Sequence, residues 1–521
     1  MDSDRPLNVL FITVDQWRGD CLSLLGHPCV KTPNLDALAG DGVAFRNHFC
    51  QALPCSPSRA SLYTGLYQHN HRVARNGTPL DARHTNIALE VRKAGYDPEL
   101  FGYTDTAPDP RTLSPGDRAL TTYGGVLPGM TLRVQHAMGD AMPWHAYLAE
   151  RGYALPDKLE RLKAPGPDYP NAEGRGPTFA PPVYSAEDSD MAFLTGEVLR
   201  NFARGAQDPW FVHLSYLNPH PPFIVPEPYN AMFDPEEVPE PIWMESPEAE
   251  AGQHPLAAYY LANVKVESFI LGRPGLAADL SLQDLKQLRA TYYGMMAEMD
   301  AQIGRLLDDL KARGEYDRTL IVLTSDHGEQ LGDRRQLGKQ GYHDQSFHVP
   351  LIVRLPGERF DAARGTIVDA FSENVDVMPT ILDCLGMEVP VACDGESLLP
   401  FLEGRLPANW RKAAHYEFDF REVLGGGPGP ALGLKPDQCS LAVLRDDQYK
   451  YVHFAGLPPL FFDLREDPHQ FRNLAADPAY APLLRDYALE MLSWRMRHND
   501  RTLTGMAVGP GGVTERREAR Q

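Results

Sequence analysis

Cysteine is scarce in this chain: seven among 521 residues, at positions 21, 29, 50, 55, 384, 393 and 439. An odd number at irregular spacing argues against a disulfide framework and fits a reducing compartment. Long apolar runs are missing as well, and no stretch approaches the length that a membrane-spanning helix needs. The opening Met1-Asp2-Ser3-Asp4-Arg5-Pro6 runs straight into an apolar segment at Leu7, so the expectation is no signal peptide and a cytoplasmic protein without a membrane partner. Cations are outnumbered, 50 Lys and Arg against 70 Asp and Glu, for a formal net charge of −20. Such a balance argues against nucleic acid as a partner. An anionic substrate would need a local positive focus. Internal repeats are absent. What the chain does have is 43% apolar content over a length that can bury a large core shared by two subdomains.

One stretch organises the rest: Leu53-Pro54-Cys55-Ser56-Pro57-Ser58-Arg59-Ala60-Ser61-Leu62-Tyr63-Thr64-Gly65. Its residues predict a loop turning into a short helix, with Ser56 as N-cap, Pro57 at the first helical position and Gly65 just past the end. Cys55 then stands beside the helix N-terminus, and Arg59 lies one turn in. A nucleophile, a cation and a helix N-terminus make a site for sulfate- or phosphate-like oxyanions. Cysteine-dependent phosphatase chemistry fits worse, because it wants Cys and Arg six residues apart and here they are four apart.

Asn8–Val14 is an unbroken apolar run ending in Asp15-Gln16, as expected of a central parallel strand covered on both faces. Thr319–Ser325 is a second such run, ending in Asp326-His327-Gly328-Glu329. Open α/β sheets gather their chemistry at the carboxyl ends of strands. Two carboxylates and a histidine converging there are most economically a metal site, since unpaired buried carboxylates are costly. A third buried run, 209–216, leads into Asn218-Pro219-His220, which makes His220 an acid or substrate ligand in a stiff loop. Asn76, in Arg75-Asn76-Gly77, reads equally well as a turn residue. Lys339, in Gly338-Lys339-Gln340-Gly341, reads as a point charge for a substrate oxygen or as an ordinary exposed lysine.

Between these landmarks, Thr32 caps a helix over 33–39, and a helix over 85–94 leads to a strand over 98–103. Residues 107–185 and 225–280 read as irregular. The apolar stripe Tyr292, Met295, Met296, Met299, Ile303, Leu306, Leu307 and Leu310 predicts a long core-facing helix over 282–312. Strands are expected at 349–354, and at 413–420, 440–445, 449–454 and 460–464 in a small antiparallel sheet backed by a helix over 481–494.

Cys55-x-Pro57-Ser58-Arg59-x-x-Leu62-x-Thr64-Gly65, with Thr32-Pro-Asn-Leu-Asp-x-Leu38 before it and Leu457-Pro-Pro-Leu-Phe-Phe-Asp-Leu464 near the C-terminus, resembles the formylglycine-dependent sulfatases of the alkaline phosphatase superfamily. The chain looks most similar to the bacterial phosphonate monoester hydrolase and arylsulfatase clade, because Asp15-Gln16 and Asp326-His327 stand where ordinary sulfatases show Asp-Asp and Asp-Asn.

The resemblance implies an α/β fold: a mixed, mostly parallel sheet sandwiched by helices, with a smaller C-terminal antiparallel sheet. The expected division is a catalytic domain over 1–400, a C-terminal subdomain over 401–500 and an arm over 501–521. It implies that Cys55 is oxidised to formylglycine by a formylglycine-generating or equivalent maturase; one hydroxyl of the hydrated aldehyde would attack and the other would expel the product. Asp15, Gln16, Asp326, His327 and residue 55 would hold one divalent ion, manganese or calcium with zinc as a third option. Arg59, Asn76, His220 and Lys339 would meet the substrate or leaving group, and Tyr103 would line the site.

The expected substrates are small monoanionic esters: aryl sulfates, phosphonate monoesters or phosphodiesters. The expected assembly is a homodimer or homotetramer. Two departures stand out. Related hydrolases carry Tyr-Thr-Thr-Thr where this chain has Tyr103-Thr104-Asp105-Thr106, and phosphonate hydrolases read Cys-Gly-Pro-Ala-Arg in place of Cys55-Ser-Pro-Ser-Arg59. An acidic residue at 105 would repel a dianion unless protonated or paired. Two rivals remain: a superfamily phosphatase or phosphomutase without the modification, and a silent anion-binding protein.

Overall fold

Strand β1, Asn8–Val14, is buried at every position, and its side chains divide between two cores. Leu10, Ile12 and Val14 face one, while Val9 and Phe11 face the other. Period-2 alternation with both faces apolar is what a strand covered on both sides by helices requires. The computed structural model describes residues 5–515 apart from 123, 167–168, 171, 206–207 and 423–424. The expectation about the first four residues therefore lies outside the described part.

The strands following β1 are β2 Val43–Phe45, β3 His48–Phe49, β4 Pro98–Gly102, β5 Thr131–Gln135, β6 Phe211–Tyr216, β7 Thr319–Ser325, β8 Leu351–Arg354, β9 Thr366–Val368 and β10 Ser372–Glu373. Seven of them join β1 in one sheet, in the order β5-β4-β6-β1-β7-β8-β2-β9, and β3 and β10 make a small parallel pair. Pairing is parallel from β5 through β7, antiparallel on both sides of β8, and parallel again at β9. Val14 is in register with Tyr216 of β6 and Ser325 of β7. The residues just beyond, Asp15 and Asp326, therefore emerge side by side at one crest.

The long helix Leu282–Ala312 and the helix Asp190–Ala203 cover one face; Cys55–Thr64 and Val377–Cys384 cover the other. The stripe expected on the long helix is buried from Tyr292 to Leu310.

Strands β11 Ala414–Asp419, β12 Ser440–Arg445, β13 Tyr449–Phe454 and β14 Leu460–Asp463 form an antiparallel meander. One face packs on Phe49, Leu53 and Phe347, the other on the helix Ala481–Arg497. The smaller sheet thus buttresses the segment that leads into Cys55.

Two expectations need correction. Residues 107–185 contain edge strand β5 and the helix Met142–Glu150, and 225–280 contain helices Pro247–Gln253 and Pro255–Asn263. In these three helices proline occupies the first or second helical position, where its missing N–H costs nothing, so it starts helices that a density of prolines argues against. Thr32 stands at a helix N-cap, but its hydroxyl bonds Ser23 and Asp36 instead of capping. Within the expected arm, β15 Met506–Gly509 pairs with β16 Gly512–Glu515 in an exposed hairpin, and 516–521 lie outside the described residues.

Candidate active site

The helix that carries Cys55 begins at that residue, with Pro54 at the N-cap position, and ends at Gly65, whose φ of 67° is the left-handed conformation expected there. Ser56 is therefore not the cap. Its backbone N–H donates to Asn76 Oδ1 at 2.9 Å, so a residue 20 positions away does the capping, and its hydroxyl donates to Asp105 Oδ2 at 2.9 Å. This is what Asn76 does in the fold: its turn carries the side chain back to the helix that bears Cys55.

Asp15, Cys55, Asp326 and His327, all buried, each offer one ligand atom within 4.8 Å of the others. His327 Nδ1 lies 3.1 Å from the Gly328 carbonyl and donates to it, which leaves the Nε2 lone pair facing Cys55 Sγ at 3.3 Å and Asp15 Oδ1 at 3.5 Å. Burial, reinforced by Lys339, holds this imidazole well below its ordinary pKa and hence neutral, the form that ligates a metal. Asp15 Oδ1 is buried without a hydrogen-bond donor. An orphaned carboxylate oxygen converging with a second carboxylate and a free imidazole nitrogen fits a divalent cation.

Arg59 departs from expectation. Its guanidinium is fully buried and its donors are all engaged: Nε on Asp326 Oδ2 at 2.8 Å, Nη2 on Asp15 Oδ2 at 3.3 Å and Tyr103 Oη at 2.9 Å, and Nη1 on Ser215 Oγ at 2.9 Å, Tyr63 Oη and the Tyr103 carbonyl. No N–H remains for a substrate oxygen, because the planar fork matches the two carboxylates behind the ligand atoms. Arg59 holds the two carboxylates of the cluster in place. Tyr103 lies under it, its ring centroid 4.2 Å from the guanidinium carbon and its hydroxyl on Asp15 Oδ2.

The cation that does face Cys55 is Lys339, with Nζ 3.1 Å from Cys55 Sγ and 2.8 Å from Gln16 Oε1. Burial works against its charge, yet Cys55, Asp15 and Asp326 together raise its pKa. Gln16, an expected ligand, stands beside the cluster with φ 70°; its carbonyl oxygen takes Lys339 and its amide donates to Glu329 Oε2. His220 Nδ1 donates to the Pro221 carbonyl at 2.8 Å, and burial, then Lys339, brings this ring down to about 4, so it is a neutral imidazole.

Burial and the charge of Asp15 push the Cys55 thiol well above its ordinary value. Burial likewise raises Asp105 to about 6, against the opposing pull of Arg59 and Ser56. Sequence reasoning passed over Glu329, whose Oε1 accepts the N–H groups of Leu331 and Gly338 at 2.8 and 2.6 Å, and Ser215, which supports Arg59. The signal for both was position: Glu329 stands two residues after His327, and Ser215 stands next to the end of a buried strand.

A mostly parallel sheet with a carboxylate–imidazole cluster and a buried cysteine, Cys55, at its crest belongs to an ester hydrolase of the alkaline phosphatase superfamily. The chain belongs to the sulfatase family, whose model matches residues 7–387, and a model described as N-sulphoglucosamine sulphohydrolase, C-terminal, matches 332–497. It is 47% identical over 518 residues to the multifunctional alkaline phosphatase superfamily protein PehA of Trinickia caryophylli, covering 98% of this chain and 99% of that protein. Two solved structures, phosphonate monoester hydrolases of Agrobacterium radiobacter and Silicibacter pomeroyi, superpose with TM-scores of 0.94 and 0.92 at 49% and 43% identity. Each match covers 99% of this chain and 100% of the other.

Proposed function

We propose that this protein hydrolyses singly charged esters (aryl sulfates, phosphonate monoesters and phosphodiesters) with one divalent ion and a formylglycine made from Cys55. The observation that carries the reading is the position of Cys55. Its sulfur shares one ligand cluster with Asp15, Asp326 and His327, and a lysine ammonium stands 3.1 Å away. A thiol held well above its ordinary pKa is a weak nucleophile at neutral pH, whereas an aldehyde hydrate at the same position presents oxygen. The names of the relatives, sulfatase and phosphonate monoester hydrolase, support the same chemistry.

The cation, manganese or calcium with zinc as a third option, would be held by Asp15, Asp326, His327 and residue 55, with the Gln16 carbonyl as a further donor. It would supply Lewis-acid charge at the nonbridging oxygens. Arg59 holds the ligand carboxylates in one orientation and prevents them from folding away. Asn76 satisfies the helix N-terminus and so fixes where residue 55 points. Lys339 keeps its proton and can donate it, or its charge, to the leaving-group oxygen. His220, neutral with Nδ1 occupied, offers Nε2 as an acceptor. Cys55 is 5% exposed in the folded chain, so a maturase would meet it before this helix packs. A homodimer or homotetramer and a cytoplasmic setting complete the proposal.

The test is the mass of the tryptic peptide Asn47–Arg59, from protein produced with and without a formylglycine-generating enzyme. Matured protein should yield a peptide about 18 Da lighter, with Cys50 still an alkylatable thiol in the same fragment. Full activity with residue 55 as an unmodified thiol would overturn the reading.

A further inference from the structure

The carboxylates of the ligand cluster are met by charged or backbone donors, but one acid beside it is not. Asp15 and Asp326 share the Arg59 guanidinium, and Glu329 takes two backbone N–H groups and the Gln16 amide. Asp105 forms no ion pair among the described residues. Its Oδ2 accepts the neutral Ser56 hydroxyl, and Oδ1 lies against Gly124, where an added Cβ would stand 3.0 Å away. The residue is 5% exposed and holds φ at 50°, a left-handed conformation uncommon outside glycine. Strain of that kind persists where the surroundings over-determine it, and it clusters at functional sites. Ser56 follows Cys55 directly, so its hydroxyl and the Asp105 carboxylate form a unit one residue from the reacting atom. Positions 56 and 105, 49 residues apart in sequence, thus touch each other.

We propose that Asp105, held by Ser56, is a charge filter that sets the site against doubly charged esters, such as phosphate monoesters, and in favour of singly charged ones. The inference rests on the ester-hydrolase reading above. Arg59 is committed to Asp15 and Asp326, so Lys339 is the nearby side-chain cation open to a substrate. With the divalent ion and Lys339 beside Cys55, one negative charge on an ester is balanced; a second adds to the negative charge that Asp105 holds next to the Cys55–Ser56 turn, in an interior where charges are poorly screened. An added like charge in such a setting costs about tenfold or more in relative affinity.

The experiment uses the matured, metal-loaded enzyme at pH 8. An aryl phosphate monoester is then a dianion, while an aryl phosphodiester and an aryl sulfate stay singly charged. The readout is the ratio of kcat/KM for the phosphate monoester to kcat/KM for the diester, taken within each variant so that folding losses cancel. Asp105→Asn, which keeps an acceptor for Ser56, should raise that ratio by about tenfold. Asp105→Glu should keep it low. Competitive inhibition by a nonhydrolysable dianionic phosphonate should strengthen in parallel in Asp105→Asn. An unchanged ratio and unchanged inhibition in an active Asp105→Asn enzyme would overturn the filter, because a purely structural role lowers both substrates together. A wild-type enzyme inactive on diester and sulfate alike would instead fail the ester-hydrolase reading.

Discussion

Arg59 and Asp326 meet through a 2.8 Å Nε–Oδ2 bond in a place where neither side chain is exposed to solvent. The same guanidinium reaches Asp15, so one residue neutralises both carboxylates that converge on the ligand cluster. Removing it leaves two buried charges uncompensated, which typically costs about 3–5 kcal/mol. Arg59→Ala should lower unfolding stability by that order and activity on the order of 100-fold or more. Arg59→Lys should recover little, since an ammonium cannot reproduce the fork. Urea unfolding and steady-state kinetics on both variants check this; an Arg59→Lys enzyme of full activity would contradict it.

Metal removal probes the orphaned Asp15 oxygen. Exhaustive chelation should abolish ester hydrolysis, and added divalent ion should restore it. A ligand that binds only the folded state at 100 times its Kd adds about 2.7 kcal/mol, so the melting temperature should rise with ion concentration. Asp15→Asn should flatten that rise. A melting curve indifferent to chelator and ion would mean that these residues hold no cation.

Asn76 is separated from Ser56 in sequence, yet it supplies the acceptor for that first-turn N–H. Loss of a helix cap costs about 1 kcal/mol. Asn76→Ala should show a destabilisation of that size together with a fall in kcat, because the capped turn carries residue 55. Asn76→Asp, which keeps an acceptor, should recover most of the stability. If kcat holds while stability falls, Asn76 serves the helix alone.

Glu417 on β11 ties the smaller sheet to the body. His69 Nδ1 lies 3.0 Å from its Oε2, and Arg495 Nη2 lies 2.7 Å from its Oε1. Burial opposes its charge, but His69 and Arg495 prevail and lower its pKa from 4.5 to about 2. A carboxyl whose folded value is depressed contributes stability that is fully present above about 4.5 and lost as pH falls toward 2. Against Glu417→Gln, the wild type should therefore hold an advantage of roughly 3 kcal/mol at pH 7 that narrows through pH 4 and 3. Urea unfolding at those pH values reads it. An advantage independent of pH would show that packing, not charge, makes the tie.

Much of this site was legible before folding was considered. Asp15 and Asp326 each end an apolar run, and two buried parallel strands side by side must bring such ends together. The long helix and the four strands of the smaller sheet also announced themselves, because their side-chain periods are strong and local. The helices whose first turns hold Pro143, Pro247 and Pro255 did not, since proline density reads as irregularity until one sees which position each proline takes.

The sequence by itself determined which groups are available: the cysteine, the carboxylates, the imidazole, and the strand ends that carry them. Tertiary structure alone decided how charge is distributed among them. Arg59 turned out to face the two carboxylates of the cluster, Lys339 to face Cys55, Asn76 to cap a helix that Ser56 was expected to cap, and Asp105 to form no ion pair among the described residues. Those assignments depend on contacts between residues 20 to more than 280 positions apart. Pairing across such separations is set by sheet order and by how helices pack on it, and neither periodicity nor local spacing encodes it.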